Sequence, residues 1–143
     1  MTPGVYCDTS VLVALLTSEP ATPAVKRWFA GLDSSLLSAD WSIAEFHSAI
    51  AIKIRTGQLS EAQAATTLEL FEQLGAGGLR WLPVSRAAFH AAASLVDEYR
   101  WNLRGGDALH LAVAQELGIK RFATLDGNQR ANAERLGLVL EAF

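Results

Sequence analysis

The sequence predicts an α/β fold built on a mostly parallel sheet, on three observations. Short apolar runs alternate with longer amphipathic ones along the chain, as strands alternating with helices do. Capping and turn residues stand at the joints between them. Acids close two of the short runs, Asp8 the first and Asp126 the fourth, at the carboxyl ends of strands where open parallel sheets bind their ligands.

Val5, Tyr6 and Cys7 read as a buried strand closed by Asp8. Val11 to Leu16 run on too far and too apolar for that strand to continue without a turn, and Thr9 and Ser10, both competent N-caps, mark the break. Asp8 reads in two ways, as a simple helix cap or as a ligand-binding carboxylate. Thr17 to Pro23 is a proline-containing turn, and Val25 to Leu32 a short helix whose Trp28 and Phe29 serve packing. Ser35 to Ser38 forms the second strand, with Ala39 and Asp40 as turn and cap.

The next helix, Trp41 to Arg55, carries Ile43, Phe46, Ile50 and Ile54 as a buried stripe. Glu45 lies one position off that stripe in the second turn, where an acid gains about 0.3–1 kcal/mol from the helix dipole. Gly57 ends the helix, and Ser60 with Gln63 forms a capping box for another that runs to Leu74. Gly75, Gly77 and Gly78 read as a connector loop; it precedes a strand and so lacks the strand-to-helix context of a phosphate-binding turn.

Leu79 to Val84 is the third strand, and Ser85 caps an alanine-rich helix from Arg86 to Tyr99. Gly105 and Gly106 open a helix with Asp107 in its first turn, Leu109, Ala112, Val113 and Leu117 on its apolar face, and Gly118 at its end. Lys120 to Thr124 lead a fourth strand that ends at Asp126. Gln129 to Leu136 form a helix, and after Gly137 comes a last strand, LVLEA.

The length of 143 residues suits one domain, spanning 1–143, that buries about 70% of its unfolded surface. The single cysteine, Cys7, falls inside the first strand and reads as a small core residue. A net charge of −3, with twelve Lys and Arg against fifteen Asp and Glu, gives no global nucleic-acid signature. It averages over sites, however, and permits a nucleic-acid substrate. No apolar run reaches the ~18 residues of a membrane span, and the amino end has no secretory pattern. The expectation is a soluble, unprocessed, cytoplasmic protein.

Asp8, Glu45, Asp107 and Asp126 share a placement that separate capping roles do not explain. Each falls at a strand's carboxyl end or early in the helix beyond it, and in a parallel sheet these positions share one edge. Carboxylates gathered there raise one another's pKa unless a cation joins them. Oxygen donors favour Mg²⁺ or Mn²⁺ over zinc, and the chain has neither a cysteine pair nor paired histidines. His47, His90 and His110 are scattered; His110, three residues after Asp107, reads as a packed or solvated helix histidine. Asn128, two residues beyond Asp126, reads as a turn or cap residue ahead of the alternative, a neutral oxygen ligand. Water on carboxylate-held Mg²⁺ is oriented and acidified for attack on a phosphate ester.

The segments CDTSVLVALL, SADWSIAEFHSAI, LRGGDALHLAVAQELG and FATLDGNQRANAERLGL together resemble the PIN-domain ribonucleases, in particular the VapC toxins of toxin–antitoxin pairs. The resemblance covers almost the whole chain, in order. It implies a three-layer PIN-like α/β fold with a five-stranded, mostly parallel sheet flanked by helices. Asp8, Glu45 and Asp107 match the family's three core acids, and Asp126 a fourth that varies more. Thr9 and Ser10 match small hydroxyl residues after the first acid, and Thr124 a hydroxyl residue two before the fourth. The resemblance further implies a homodimer, Mg²⁺- or Mn²⁺-dependent cutting of RNA, and inhibition by a small antitoxin protein whose tail enters the cleft. In this scheme Asp8, Asp107 and Asp126 hold the metal, and Glu45 acts as general base or as a further ligand.

Arg100 and Arg104, just ahead of Asp107, are the candidates for holding substrate phosphates, followed by Lys53 and Arg55. Competing readings are a Mg²⁺-dependent phosphatase or phosphoacceptor domain, and a non-catalytic protein-binding module. Asp8 has neither an acid two residues on nor an adjacent acid, as those phosphatases and phosphoacceptors respectively have. A nucleotide-dependent oxidoreductase is weakest, since no G-x-G-x-x-G follows the first strand.

Overall fold

The computed structural model describes residues 3–143. Its strands are β1 (Val5–Cys7), β2 (Leu36–Ala39), β3 (Arg80–Leu82), β4 (Arg121–Ala123) and β5 (Val139–Leu140). Its α-helices are α1 (Thr9–Leu16), α2 (Thr22–Ala30), α3 (Trp41–Arg55), α4 (Glu61–Gly77), α5 (Arg86–Asp97), α6 (Gly105–Glu116) and α7 (Gly127–Arg135), with a single 3₁₀ turn at Tyr99–Trp101.

The strands form one five-stranded sheet in the order β3-β2-β1-β4-β5, and every neighbouring pair is parallel. β1 is central: Tyr6 pairs with Leu37 on one side and Phe122 on the other. The chain winds outward from β1 in one direction through β2 and β3, and in the other through β4 and β5, which places the switch point of the topology at the carboxyl ends of β1 and β4.

Strand side chains alternate between two cores, as the period of two requires. Tyr6, Leu37 and Phe122 pack with α5, α6 and α7, whereas Val5, Cys7, Leu36 and Ala123 pack with α1, α2, α3 and α4. The result is helix, sheet, helix in three layers, as expected from the sequence. α6 is buried along Ala108–Ala114, including its one polar member, His110. An apolar helix of this kind has no solvent face to give up, so its small residues pack directly on the sheet.

Local differences from the sequence reading have physical causes. The side chain that caps α1 is Asp8, whose Oδ1 accepts from the Ser10 amide at 3.1 Å, so Thr9 and Ser10 lie within the first turn. α2 starts at Thr22 because Pro23 is tolerated in a first turn, where its missing N–H costs nothing. The buried stripe of α3 runs through Ser42, Phe46 and Ile50, while Ile43 is 40% exposed. Ser42 takes the inward place because its hydroxyl lies 2.6 Å from that of Ser38. Asp40 makes no side-chain capping bond. α4 keeps its capping box at Ser60 and Gln63 but continues to Gly77. Gly75 lies within this helix, where a Cβ would stand 2.8 Å from Nε1 of Trp81, so the close approach of helix and ring needs glycine. α5 ends at Asp97, and Tyr99 belongs to the 3₁₀ turn.

A carboxylate site at the switch point

Asp8 follows β1 directly, and its amide still bonds to the carbonyl of Ala123 at 3.1 Å, so the sheet carries it to the edge beside β4. The residue is only 4% exposed. Its Oδ1 accepts from the Ser10 amide and hydroxyl, the latter at 2.5 Å, and its Oδ2 accepts from the Thr124 hydroxyl at 2.5 Å. The same hydroxyls brace the next loop: Ser10 Oγ accepts from the Leu125 amide at 3.0 Å and Thr124 Oγ1 from the Asp126 amide at 3.1 Å. Burial raises the Asp8 carboxyl above its usual range, although the hydrogen bonds from Ser10 and Thr124 act in the opposite direction.

Glu45 reaches the same edge from the second turn of α3. Its Oε1 accepts from Thr9 Oγ1 at 2.8 Å and lies 2.5 Å from His110 Nε2. Burial disfavours its charge, yet the hydrogen bonds from His110 and Thr9 outweigh it and hold the carboxyl below its usual value. Glu45 Oε2 lies over Gly106: a Cβ on that glycine would meet Oε2 at 2.9 Å and Trp41 Nε1 at 3.0 Å. Trp41 Nε1 is itself buried and makes no hydrogen bond among the described residues.

Asp107 stands in the first turn of α6, which no side chain caps. Burial raises its carboxyl pKa first, and the negative charges of Asp126 and Asp8 raise it further. Asp126 caps α7, accepting from the Gln129 amide at 2.8 Å. Gln129 Nε2 in turn donates to the Asp107 carbonyl at 2.9 Å, joining the two acidic loops. Among the described residues no three acidic, imidazole or thiol groups are already drawn together at chelating distance. Thr9, Ser10, Glu45 and Asp126 line one end of an open groove whose other wall includes Ala49 and Ile52 of α3.

All four acids therefore face the switch point, and the hydroxyls of Thr9, Ser10 and Thr124 support two of them. Arg100 and Arg104 are exposed just ahead of α6, with the Arg100 guanidinium 4.9 Å above the Tyr99 ring. Lys53 is withdrawn instead: it is buried and paired with Glu19 at 3.2 Å. Asn128 donates to the Asn102 carbonyl at 2.8 Å, fixing a left-handed turn in place of contacting the acids. Cys7 is fully buried, and burial pushes its thiol pKa up, as suits a packing residue. The sequence reading underrated His110, which is 1% exposed and sits between Glu45 and Tyr6. Its spacing of three from Asp107, within a helix otherwise apolar at that point, was the available signal.

Acidic side chains at the switch point of a parallel sheet, with no arginine or lysine bonded to them among the described residues, define the class: an α/β protein with an acidic edge. The chain belongs to the PIN-domain family, whose model matches residues 5–135. It is 29% identical over 97% of its length to ribonuclease VapC46 of Mycobacterium tuberculosis, also covering 97% of that protein. Among solved structures it resembles VapC20 of M. tuberculosis, described as a toxin that cleaves the sarcin–ricin loop, with a TM-score of 0.72, 20% identity, and coverage of 90% of this chain and 94% of the other. It also resembles VapBC2 of Rickettsia felis, solved with a promoter DNA fragment, with a TM-score of 0.64, 14% identity and 96% coverage of both chains.

Proposed function

We propose that this chain, folded as one domain over 1–143, is a metal-dependent endoribonuclease of the VapC type, the toxin of a toxin–antitoxin pair. The observation that carries the reading is the set Asp8, Glu45, Asp107 and Asp126 on a PIN fold, with Asp107 burdened by the charges of Asp126 and Asp8. The donors are hard oxygens, no Lys or Arg pairs with them among the described residues, and Asp107 accepts no side-chain hydrogen bond there, so the set fits a small divalent cation. Asp8, Asp107 and Asp126 would hold Mg²⁺ or Mn²⁺. When bound, the ion supplies neutralisation of phosphate charge and acidification of water.

The chain's own residues do the rest. Glu45 stays charged, its Oε1 is tied to Thr9 and His110, and its Oε2 is the atom that orients the attacking water and takes its proton. The water oxygen bonds to phosphorus, one P–O ester bond breaks, and the leaving oxygen is protonated from solvent. Thr9, Ser10 and Thr124 keep the carboxylates aimed. Arg100 and Arg104 hold phosphates of the RNA, contributing affinity without sequence information.

The groove supports the partner reading. Its acidic end and the apolar side chains Val13, Ala49 and Ile52 suit a peptide segment that combines a cation with apolar residues, as an inhibitory antitoxin tail would. The likeness to VapBC2 supports such a partner. The likeness to the VapC ribonucleases supports assigning the protein to the cytoplasm as a homodimer. Among the described residues no helix is long and apolar enough to cross a membrane.

Purified protein incubated with total RNA tests the reading. New RNA ends are expected with Mn²⁺ or Mg²⁺ and none with chelator, and Asp8→Asn or Asp107→Asn abolishes them. Undiminished metal-dependent cleavage by either variant refutes the assignment.

A further inference from the structure

Tyr6, His110 and Glu45 form a continuous chain from the sheet's interior to the acidic edge. The Tyr6 hydroxyl lies 2.6 Å from His110 Nδ1, and His110 Nε2 lies 2.5 Å from Glu45 Oε1. Tyr6 is fully buried, its ring stacked on Phe122 with centroids 5.3 Å apart, so the hydroxyl has no access to water.

A phenol has one proton to donate, and His110 Nδ1 is the one side-chain partner of this hydroxyl among the described residues. If Nδ1 carried a proton, two donors would face each other and the phenolic proton would be buried unpaired, which costs about 1–3 kcal/mol. The buried hydroxyl therefore donates to a bare Nδ1, and the ring proton resides on Nε2, directed at Glu45.

We infer that Tyr6 fixes His110 as the neutral Nε2–H tautomer, and that His110 thereby acts as a positioning residue. Its N–H and the Thr9 hydroxyl both occupy Oε1 of Glu45, leaving Oε2 to work at the groove. Three further contacts fit this arrangement. Thr9 Oγ1 is also 3.5 Å from Nε2, so the three groups form a compact triangle about Oε1. Trp41 Nε1 and the bare face of Gly106 flank Oε2. Neither Tyr6 nor His110 reaches the groove itself, since both are essentially unexposed and absent from its lining.

The catalytic half of this inference rests on Glu45 being the base; the tautomer does not. Nitrogen-15 NMR of the histidine rings in metal-free wild-type protein near neutral pH, assigned with His110→Gln, reads the tautomer directly. A protonated Nε2 with a bare Nδ1 is expected, and a proton on Nδ1, alone or with one on Nε2, overturns the inference. Tyr6→Phe, which retains the stacked ring, is expected to shift the His110 resonances away from that tautomer.

In cleavage assays Tyr6→Phe and His110→Leu should lower kcat about 10- to 100-fold while KM changes little, as loss of orientation predicts. His110→Gln, which can still present an N–H at the place of Nε2, should recover part of that loss. Equal losses in His110→Gln and His110→Leu, or a loss confined to KM, refute the positioning role. The NMR result stands apart from RNA cleavage, so failure of the endoribonuclease reading and failure of the tautomer are separately visible.

Discussion

Adding one methyl group at Gly106 tests the placement of Glu45 without touching any acid. Gly105 and Gly106 are neighbours at the start of α6 and neither has a positive φ, so alanine suits the backbone at both. Replacing a helical glycine with alanine gains about 0.5–1 kcal/mol through reduced freedom of the unfolded chain. At Gly105 the new Cβ meets nothing within 4 Å, so Gly105→Ala should keep that gain. At Gly106 it stands 2.9 Å from Glu45 Oε2 and 3.0 Å from Trp41 Nε1, and both must retreat by a few tenths of an ångström. Trp41 is half-buried and Glu45 is held at Oε1, so the retreat acts as overpacking, which costs about 1–3 kcal/mol. Gly106→Ala should therefore melt several degrees below Gly105→Ala, at about 3–4 °C per kcal/mol for a chain of this size. Circular-dichroism melts in chelator give this difference. Initial rates on a fluorescent RNA give the second: a displaced Oε2 should cost Gly106→Ala about 10- to 100-fold in kcat. Cleavage by Gly106→Ala within about twofold of Gly105→Ala would refute the role given to Oε2, because the methyl group leaves no room for the present carboxylate position.

In metal-free protein the stabilising contribution of Asp107 should be lost as pH rises through the carboxylate range. The folded Asp107 holds its proton more tightly than the unfolded chain does, so its contribution is fully present below the ordinary Asp value and is lost as pH passes its raised folded value. Asp107→Asn should melt no lower than wild type in chelator near neutral pH and should gain stability relative to wild type as pH rises from 3 to 7, measured by thermal melts; a marked destabilisation would instead make Asp107 structural. For substrate binding, Arg104→Ala should reduce the slope of log affinity against log salt by about 0.7 for a lost single-strand phosphate contact, and an unchanged slope removes Arg104 from the interface.

The layered fold was legible because its signals are local. Alternation of apolar runs gave five strands in the right order, and the Ser60–Gln63 and Ser85 caps stand where the sequence puts them. The misreadings arise where tertiary contacts override local rules. Glycine normally weakens a helix, yet α4 runs through Gly75, where the Trp81 ring occupies the space of a Cβ. Ile43 fits the apolar period of α3 but is exposed, since a buried hydroxyl pair between Ser38 and Ser42 sets the helix's rotation. Lys53 looked available for phosphate, but the sequence does not reveal that Glu19 takes it up from the α1–α2 connection. His110 required knowledge of Tyr6, 104 positions away, before its second nitrogen had a role.

The acids were legible for a reason that also explains why each was ambiguous. A capping carboxylate is aimed at the first backbone N–H groups of a helix, and in a parallel sheet those groups lie on the ligand-binding edge. Asp8 and Asp126 do cap, to Ser10 and Gln129, and the capping bond engages Oδ1 in each. Capping and ligation therefore do not compete for the whole residue: one oxygen fixes the helix start and the carboxylate remains at the edge with its charge. Asp107 breaks the tie, because it caps nothing by its side chain among the described residues, and burial with the charges of Asp126, Asp8 and Glu45 disfavours its ionised form, a cost that an uncharged residue would not carry. On the proposed reading, the repulsion that marks Asp107 is the interaction that a bound divalent cation would reverse.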